Sequence, residues 1–360
     1  MNINERIKKG LDGEYQGLAN GLERTNKLIF GVQRSCYTLL GGLSGSAKTT
    51  LVDYMIINAL EDAEAKQIPI NVFYWCLEID ETTKKCNWLS VLIYKKYDRV
   101  ITPEKIKGLG DNRLTDEELQ LVEDVIPDLN KLFNKINWFF ESTNPTGVYN
   151  TLWQFMQNRG KFEKEAYKDA DGNSHERIIK FIPTNPEEYN IVVGDHLALF
   201  KTERGFTLKQ NIDKLSEYSV VLRNLFGVSF YWLQQFNQSL NAIDRQKHKG
   251  VDISPSQTDF KDTTNPYTDA DVVLGLMNAH QMDMDTCLGY SINKRSEPYS
   301  LKHRFRMLKI VKNRLSRDNV AVGLLFLAEA GSFEELPKPA DIIPEYAARI
   351  NNLVNGNTNG

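Results

Sequence analysis

Tyr37-Thr-Leu-Leu-Gly-Gly-Leu-Ser-Gly-Ser-Ala-Lys-Thr-Thr-Leu51 decides the fold. A short apolar run, Tyr37 to Leu40, leads into small residues and then into Lys48, Thr49 and a helical pattern. A polyphosphate requires strand, loop and helix in that order. Successive backbone N–H groups and a helix amino terminus surround its oxygens, while a lysine adds mobile positive charge. Gly42, Leu43, Ser44, Gly45, Ser46, Ala47, Lys48, Thr49 and Thr50 are therefore the expected contacts to ATP, with the Thr49 hydroxyl placed to hold Mg²⁺. Ala47 stands where the pattern G-x-x-x-x-G-K-[ST] has its second glycine. Alanine costs little there if the backbone keeps a negative φ.

Outward from this stretch, apolar runs of four to seven residues recur at 71–77, 137–140, 189–193, 228–233, 272–277 and 321–327. Several lack alternation, as strands buried on both faces should. Helical patterns at 50–65, 148–159 and 208–225 lie between them, so the fold class is α/β, a mostly parallel sheet flanked by helices. Two stretches fit this scheme poorly. Residues 102–134 read as a charged helical insertion, a lid or a packing element between the second and third core strands, and 163–188 as a hairpin insertion turning at Asp-Ala-Asp-Gly-Asn-Ser. The domain reading is a helical segment at 1–24, one core domain at 25–340, and a helix with a polar tail at 341–360.

With 360 residues, 25% of them charged, 41% hydrophobic and a net charge of −3, the chain has the composition of an ordinary globular protein with no basic field. Any nucleic acid must be gripped by local lysines and arginines. The four cysteines, at 36, 76, 86 and 287, form no CxxC pair and predict neither disulfide nor zinc site. No stretch reads as a signal peptide or membrane span, and a reducing cytoplasm is expected.

A phosphate-binding loop needs a second carboxylate on a neighbouring strand to hold the metal through water. Asn190-Ile-Val-Val-Gly-Asp195 supplies one. Alone, an aspartate after a strand serves as a turn residue or cap; with Lys48 and Thr49 upstream it reads as the magnesium carboxylate. Glu78, at the tip of the strand after the loop helix, is the candidate to orient or deprotonate water. Asp80 and Glu81 read as first-turn acids of a helix. Gln235 and Asn237 end another strand, where an amide can sense a γ-phosphate or simply cap. Lys312 and Arg314 follow the strand-like run 305–311, as solvated cations or as a finger reaching a neighbouring subunit.

These pieces, in this order over roughly 17–336, resemble the motor domain of DnaB-type replicative helicases, whose core is RecA-like. Leu77-Glu78-Ile79 is similar to that family's Leu-Glu-Met, whose glutamate is the catalytic base, and Gln235-Phe-Asn237 to its Gln-Leu-Asn sensor. Ile191-Val-Val-Gly-Asp195-His-Leu-Ala-Leu resembles its magnesium strand, with Gly194 in place of a bulky apolar residue. Thr258-Asp-Phe-Lys-Asp-Thr-Thr-Asn-Pro-Tyr-Thr-Asp-Ala-Asp-Val-Val273 resembles its channel loop, which implies DNA contact at Lys261 and Asp262. Lys312-Asn-Arg314 looks like its Lys-Asn-Arg, which acts across a subunit boundary. The resemblance implies a DNA helicase driven by ATP and Mg²⁺, a homo-oligomer, in that family a hexamer, on single-stranded DNA, with a primase or loader as further partner. The approach Asn185-Pro-Glu-Glu-Tyr-Asn and the short leader look like shortened phage versions, which would act in a host cytoplasm. The other reading is a RecA-like recombinase or regulatory ATPase that unwinds nothing.

Overall fold

In the computed structural model, which describes residues 3–11, 16–236, 253–260, 264–294 and 297–355, β1 (Tyr37–Gly42) is buried at every position. β7 (Ser229–Gln235) and β8 (Val272–Met277) flank it in parallel. Beyond β7 follow β6 (Tyr189–Asp195), β2 (Ile70–Cys76) and β3 (Ile136–Phe139), all parallel. Beyond β8 the sheet turns antiparallel through β11 (Phe305–Asn313), β12 (Val320–Leu327) and β13 (Ser332–Glu335). The nine-stranded order is β13-β12-β11-β8-β1-β7-β6-β2-β3. The sheet is thus mostly parallel, and the antiparallel edge adds to the expected pattern.

Alternate residues of the central strands enter two cores, because successive side chains point to opposite faces. Val72, Tyr74 and Cys76 join one with α3 (Lys48–Ala65), α4 (Glu81–Tyr97) and α6 (Asp116–Phe133). Phe73 and Trp75 join the other with α7 (Pro145–Gln157) and α8 (Leu208–Phe226). The two insertions separate in role. Residues 102–134 form a short helix, α5 (Pro103–Ile106), then α6, whose Val122, Val125, Leu129 and Leu132 are buried at helical spacing. A Thr115–Glu118 capping box starts α6, so this segment is a wall of the core rather than a lid.

The second insertion is a hairpin, β4 (Gly160–Lys168) with β5 (Ser174–Pro183), which begins before and ends before the expected 163–188. Its root is held by Phe162 and Phe181 against Phe226, and Asp169 Oδ1 accepts the N–H groups of Asp171 and Asn173 in the turn. α1 (Ile3–Leu11) and a helix at Pro344–Val354 lie near the chain's two ends. Among the described residues no helix is long and apolar enough to cross a membrane.

Candidate active site

Gly42 ends β1 level with Gln235 of β7 and Leu276 of β8, at the carboxyl edge of the parallel strands. A Cβ on Gly42 would stand 2.6 Å from both the Leu276 oxygen and Ser46 Oγ, so the strand end is compact enough to require glycine. The chain then curls, with the Ser46 N–H donating to the Leu43 oxygen at 3.2 Å, and α3 opens at Lys48. The first-turn N–H groups of a helix have no acceptor within it, which leaves those of α3 for an anion. Ala47 precedes them at φ 75, ψ 36. The negative φ that would make alanine inexpensive is therefore absent, and a non-glycine residue in the left-handed region costs on the order of 1–2 kcal/mol.

Lys48 Nζ donates to the Gly42 and Leu43 oxygens at 2.9 and 3.0 Å, across the mouth of the loop. Burial lowers its pKa, against the pull of Asp195 and Glu78. Asp195, the last residue of β6, is 2% exposed, and its Oδ2 has no hydrogen-bond partner. Burial pushes this carboxyl up to about 6; Lys84 and a hydrogen bond from the Thr49 hydroxyl oppose the rise, while Glu78 and Asp53 add to it.

Lys84, fully buried on α4, pairs with Asp53 of α3 at 2.8 Å, and the Tyr74 hydroxyl donates to the same carboxylate at 2.8 Å. Its side chain is α4's contribution to the site's electrostatics. No sequence pattern points to it, because Asp53 lies 31 positions away.

A hydroxyl beside a carboxylate with one unsatisfied oxygen is a donor set for a hard divalent cation, and Thr49 with Asp195 therefore fits Mg²⁺. No group of three or more His, Cys, Asp or Glu side chains among the described residues cages a metal. The remaining ligands would be nucleotide oxygens and water, as this ion prefers.

Glu78 lies two residues beyond Cys76, whose register partner is Asp195. His196 Nε2 approaches Glu78 Oε1 at 3.5 Å, while its Nδ1 accepts the Ala198 N–H at 3.3 Å. With Nδ1 as acceptor, the ring proton sits on Nε2 and faces the carboxylate. Burial lowers the His196 pKa, which keeps the ring neutral. Nothing in the sequence marks His196 beyond its place directly after Asp195. Asp80 and Glu81 are structural, as expected: Asp80 caps α4 by accepting the Thr83 N–H at 2.9 Å, and Glu81 pairs with Lys85. The gap at Gly194 is filled from the next strand, since a Cβ there would lie 2.0 Å from Trp232 Cζ3.

Lys312 and Arg314 are not brought to this edge. β11 runs antiparallel to β8, with Met307 opposite Met277 and Lys312 opposite Val273, so its end lies at the amino edge of the parallel strands. Lys312 Nζ donates to the Tyr267 and Thr268 oxygens, both at 2.8 Å, and burial pushes its pKa down to about 8. Arg314 Nη2 donates to the Thr268 oxygen at 2.9 Å. The six residues of β1 separate the two edges by about 20 Å. Lys261, Asp262 and Asn237 lie outside the described residues.

The chain matches no family model and no curated protein sequence. Its fold is similar to the ATPase domain of a phage helicase, with TM-score 0.66 and 16% identity over 93% of this chain and 99% of that one. It is also similar to a DnaB-like replicative helicase solved for its interactions with primase, with TM-score 0.64 and 15% identity. That match covers 93% of this chain and 66% of the other. The architecture is thus that of RecA-like ATPases.

Proposed function

We propose that this protein is an ATP-driven DNA helicase of DnaB type, a ring of identical subunits, six by resemblance, that translocates on single-stranded DNA in replication. The observation that carries the reading is the division of one catalytic set between opposite edges of a single sheet. Lys48, Thr49, Glu78 and Asp195 meet at the carboxyl edge, and Lys312 and Arg314 sit about 20 Å away. In a head-to-tail ring the amino edge of one subunit faces the nucleotide of the next, so both sets converge only between subunits.

In this mechanism the loop N–H groups and the start of α3 receive the phosphates, and Lys48 leaves the Gly42 and Leu43 oxygens for the β- and γ-phosphates. Mg²⁺, held by Thr49 and through water by Asp195, would neutralise phosphate charge. Glu78, oriented by His196, accepts the proton of the attacking water, and Lys312 with Arg314 of the adjacent subunit stabilise charge on the γ-phosphate. Gln235, at the end of β7, registers whether the γ-phosphate is present and passes its state to the loop that follows. Lys261 and Asp262, in the segment resembling the channel loop, would grip the DNA backbone, and a primase or loader would dock elsewhere. A phage origin, with action in a host cytoplasm, belongs to the same reading.

The test is ATP turnover with and without single-stranded DNA, followed by strand displacement on a forked duplex. DNA-stimulated turnover with displacement supports the helicase. Turnover without displacement moves the assignment to a RecA-like recombinase or regulatory ATPase, and turnover indifferent to DNA removes the nucleic-acid partner.

A further inference from the structure

The residue before Ala47, Ser46, is fully buried, and its carbonyl accepts a hydrogen bond from Arg306 Nε at 2.9 Å. Arg306 lies on β11, 260 positions along the chain, and is only 4% exposed. Its Nη1 donates to the His303 and Phe305 oxygens at 2.7 and 2.8 Å, and its guanidinium lies 4.7 Å from the Phe326 ring centroid. Among the described residues no carboxylate pairs with it, and burial alone pushes its pKa down to about 10. A buried cation without a counter-ion is costly to keep. This one is aimed at the phosphate-binding loop.

The Ser46–Ala47 peptide is trans, so its C=O and N–H point in opposite directions. Tethering the Ser46 oxygen to Arg306 fixes the plane of that peptide, and with it ψ of Ser46 and φ of Ala47. The Ala47 N–H is thereby held pointing away from Arg306. A glycine at position 47 would adopt positive φ unaided, whereas alanine there favours a rotated peptide that would misdirect the same N–H.

We infer that Arg306 is a positioning residue that holds the phosphate-binding loop in the left-handed conformation Ala47 would otherwise leave, standing in for the absent second glycine. The inference rests on the nucleotide-binding reading of this loop. It assigns Arg306 no contact with nucleotide.

The test is a double-mutant cycle on the full chain, with binding of a fluorescent ADP measured for wild type, Arg306→Gln, Ala47→Gly and the double variant, each checked for folding by thermal melting. Arg306→Gln should weaken ADP binding by about tenfold when residue 47 is alanine, the loss of one charge-assisted hydrogen bond. In the Ala47→Gly background the same substitution should cost about twofold or less, a rescue that a merely structural arginine would not show. Equal losses in both backgrounds overturn the inference while leaving nucleotide binding intact. If Arg306→Gln fails to fold, Arg306→Lys, which keeps charge but loses the planar fork, enters the same cycle, where rescue by Ala47→Gly supports the inference and equal losses overturn it. Wild type that binds no nucleotide overturns the proposed function, and this inference with it.

Discussion

At the carboxyl edge of the sheet Asp195 Oδ2 and Ser46 Oγ are buried without a hydrogen-bond partner. At the amino edge the donors of Lys312 and Arg314 rest on backbone oxygens of the Thr264–Asp269 helix at 2.8 to 2.9 Å. The first edge holds its polar groups short of partners, and the second keeps its cations satisfied within the chain. Buried unsatisfied groups cost stability, and they persist where function asks for them. One edge is therefore built to receive a ligand, and the other to give up weak internal bonds for a stronger contact outside.

The largest expected effect breaks the comparison at its amino edge. Arg314→Ala should lower ATP turnover by about 10³-fold, the scale of an arginine finger. Nucleotide binding should stay the same, and melting should move little, because the guanidinium is half exposed and its loss leaves no buried charge unpaired. A loss of ADP affinity equal to the loss of turnover would instead place Arg314 within its own subunit's site.

The next two sharpen the carboxyl edge. Lys84→Met leaves Asp53 buried without its ammonium and should destabilise the fold by about 4 kcal/mol, measured by denaturant unfolding. The paired change Lys84→Met with Asp53→Leu should recover much of that stability. Recovery of ATP turnover by the pair as well would show that Lys84 contributes nothing to Asp195.

Asp195→Asn should end turnover yet stabilise the metal-free protein. Burial raises this carboxyl from 3.8 to about 6, so the folded state binds the proton more tightly than the unfolded chain does. The fold then loses stability as pH rises from near 4 through 6, and the full cost, on the order of 3 kcal/mol, is present above that range. The asparagine variant should melt higher than wild type at pH 7.5 without magnesium, and the advantage should fade below pH 4. A lower melting temperature at pH 7.5 would mean that ionised Asp195 stabilises the empty fold.

What the sequence made legible here is what lies close along the chain. Tyr37 to Thr50 carries strand, loop and helix start within one stretch, so the phosphate-binding site could be read directly. Glu78 and Asp195 each end an apolar run, and parallel register places both beside the loop. Three things could not be read. The φ of Ala47 depends on a tether from Arg306, 260 positions away. The Lys84–Asp53 pair joins two helices that show no charge pattern of their own. The antiparallel edge β11 to β13 arises from pairing that apolar runs alone do not orient. The separation of Lys312 and Arg314 from Lys48 followed from that same orientation.

The central claim is that neither edge completes the site without a second subunit, and mixing two dead variants tests it directly. Lys48→Ala removes the carboxyl-edge charge and Arg314→Ala the amino-edge charge, so each protein alone should be inactive. Mixed in equal amounts with single-stranded DNA, they should regain turnover approaching a quarter of wild type, because about one interface in four then joins two intact edges. A mixture as inactive as its components, or full turnover by Arg314→Ala alone, would contradict the account.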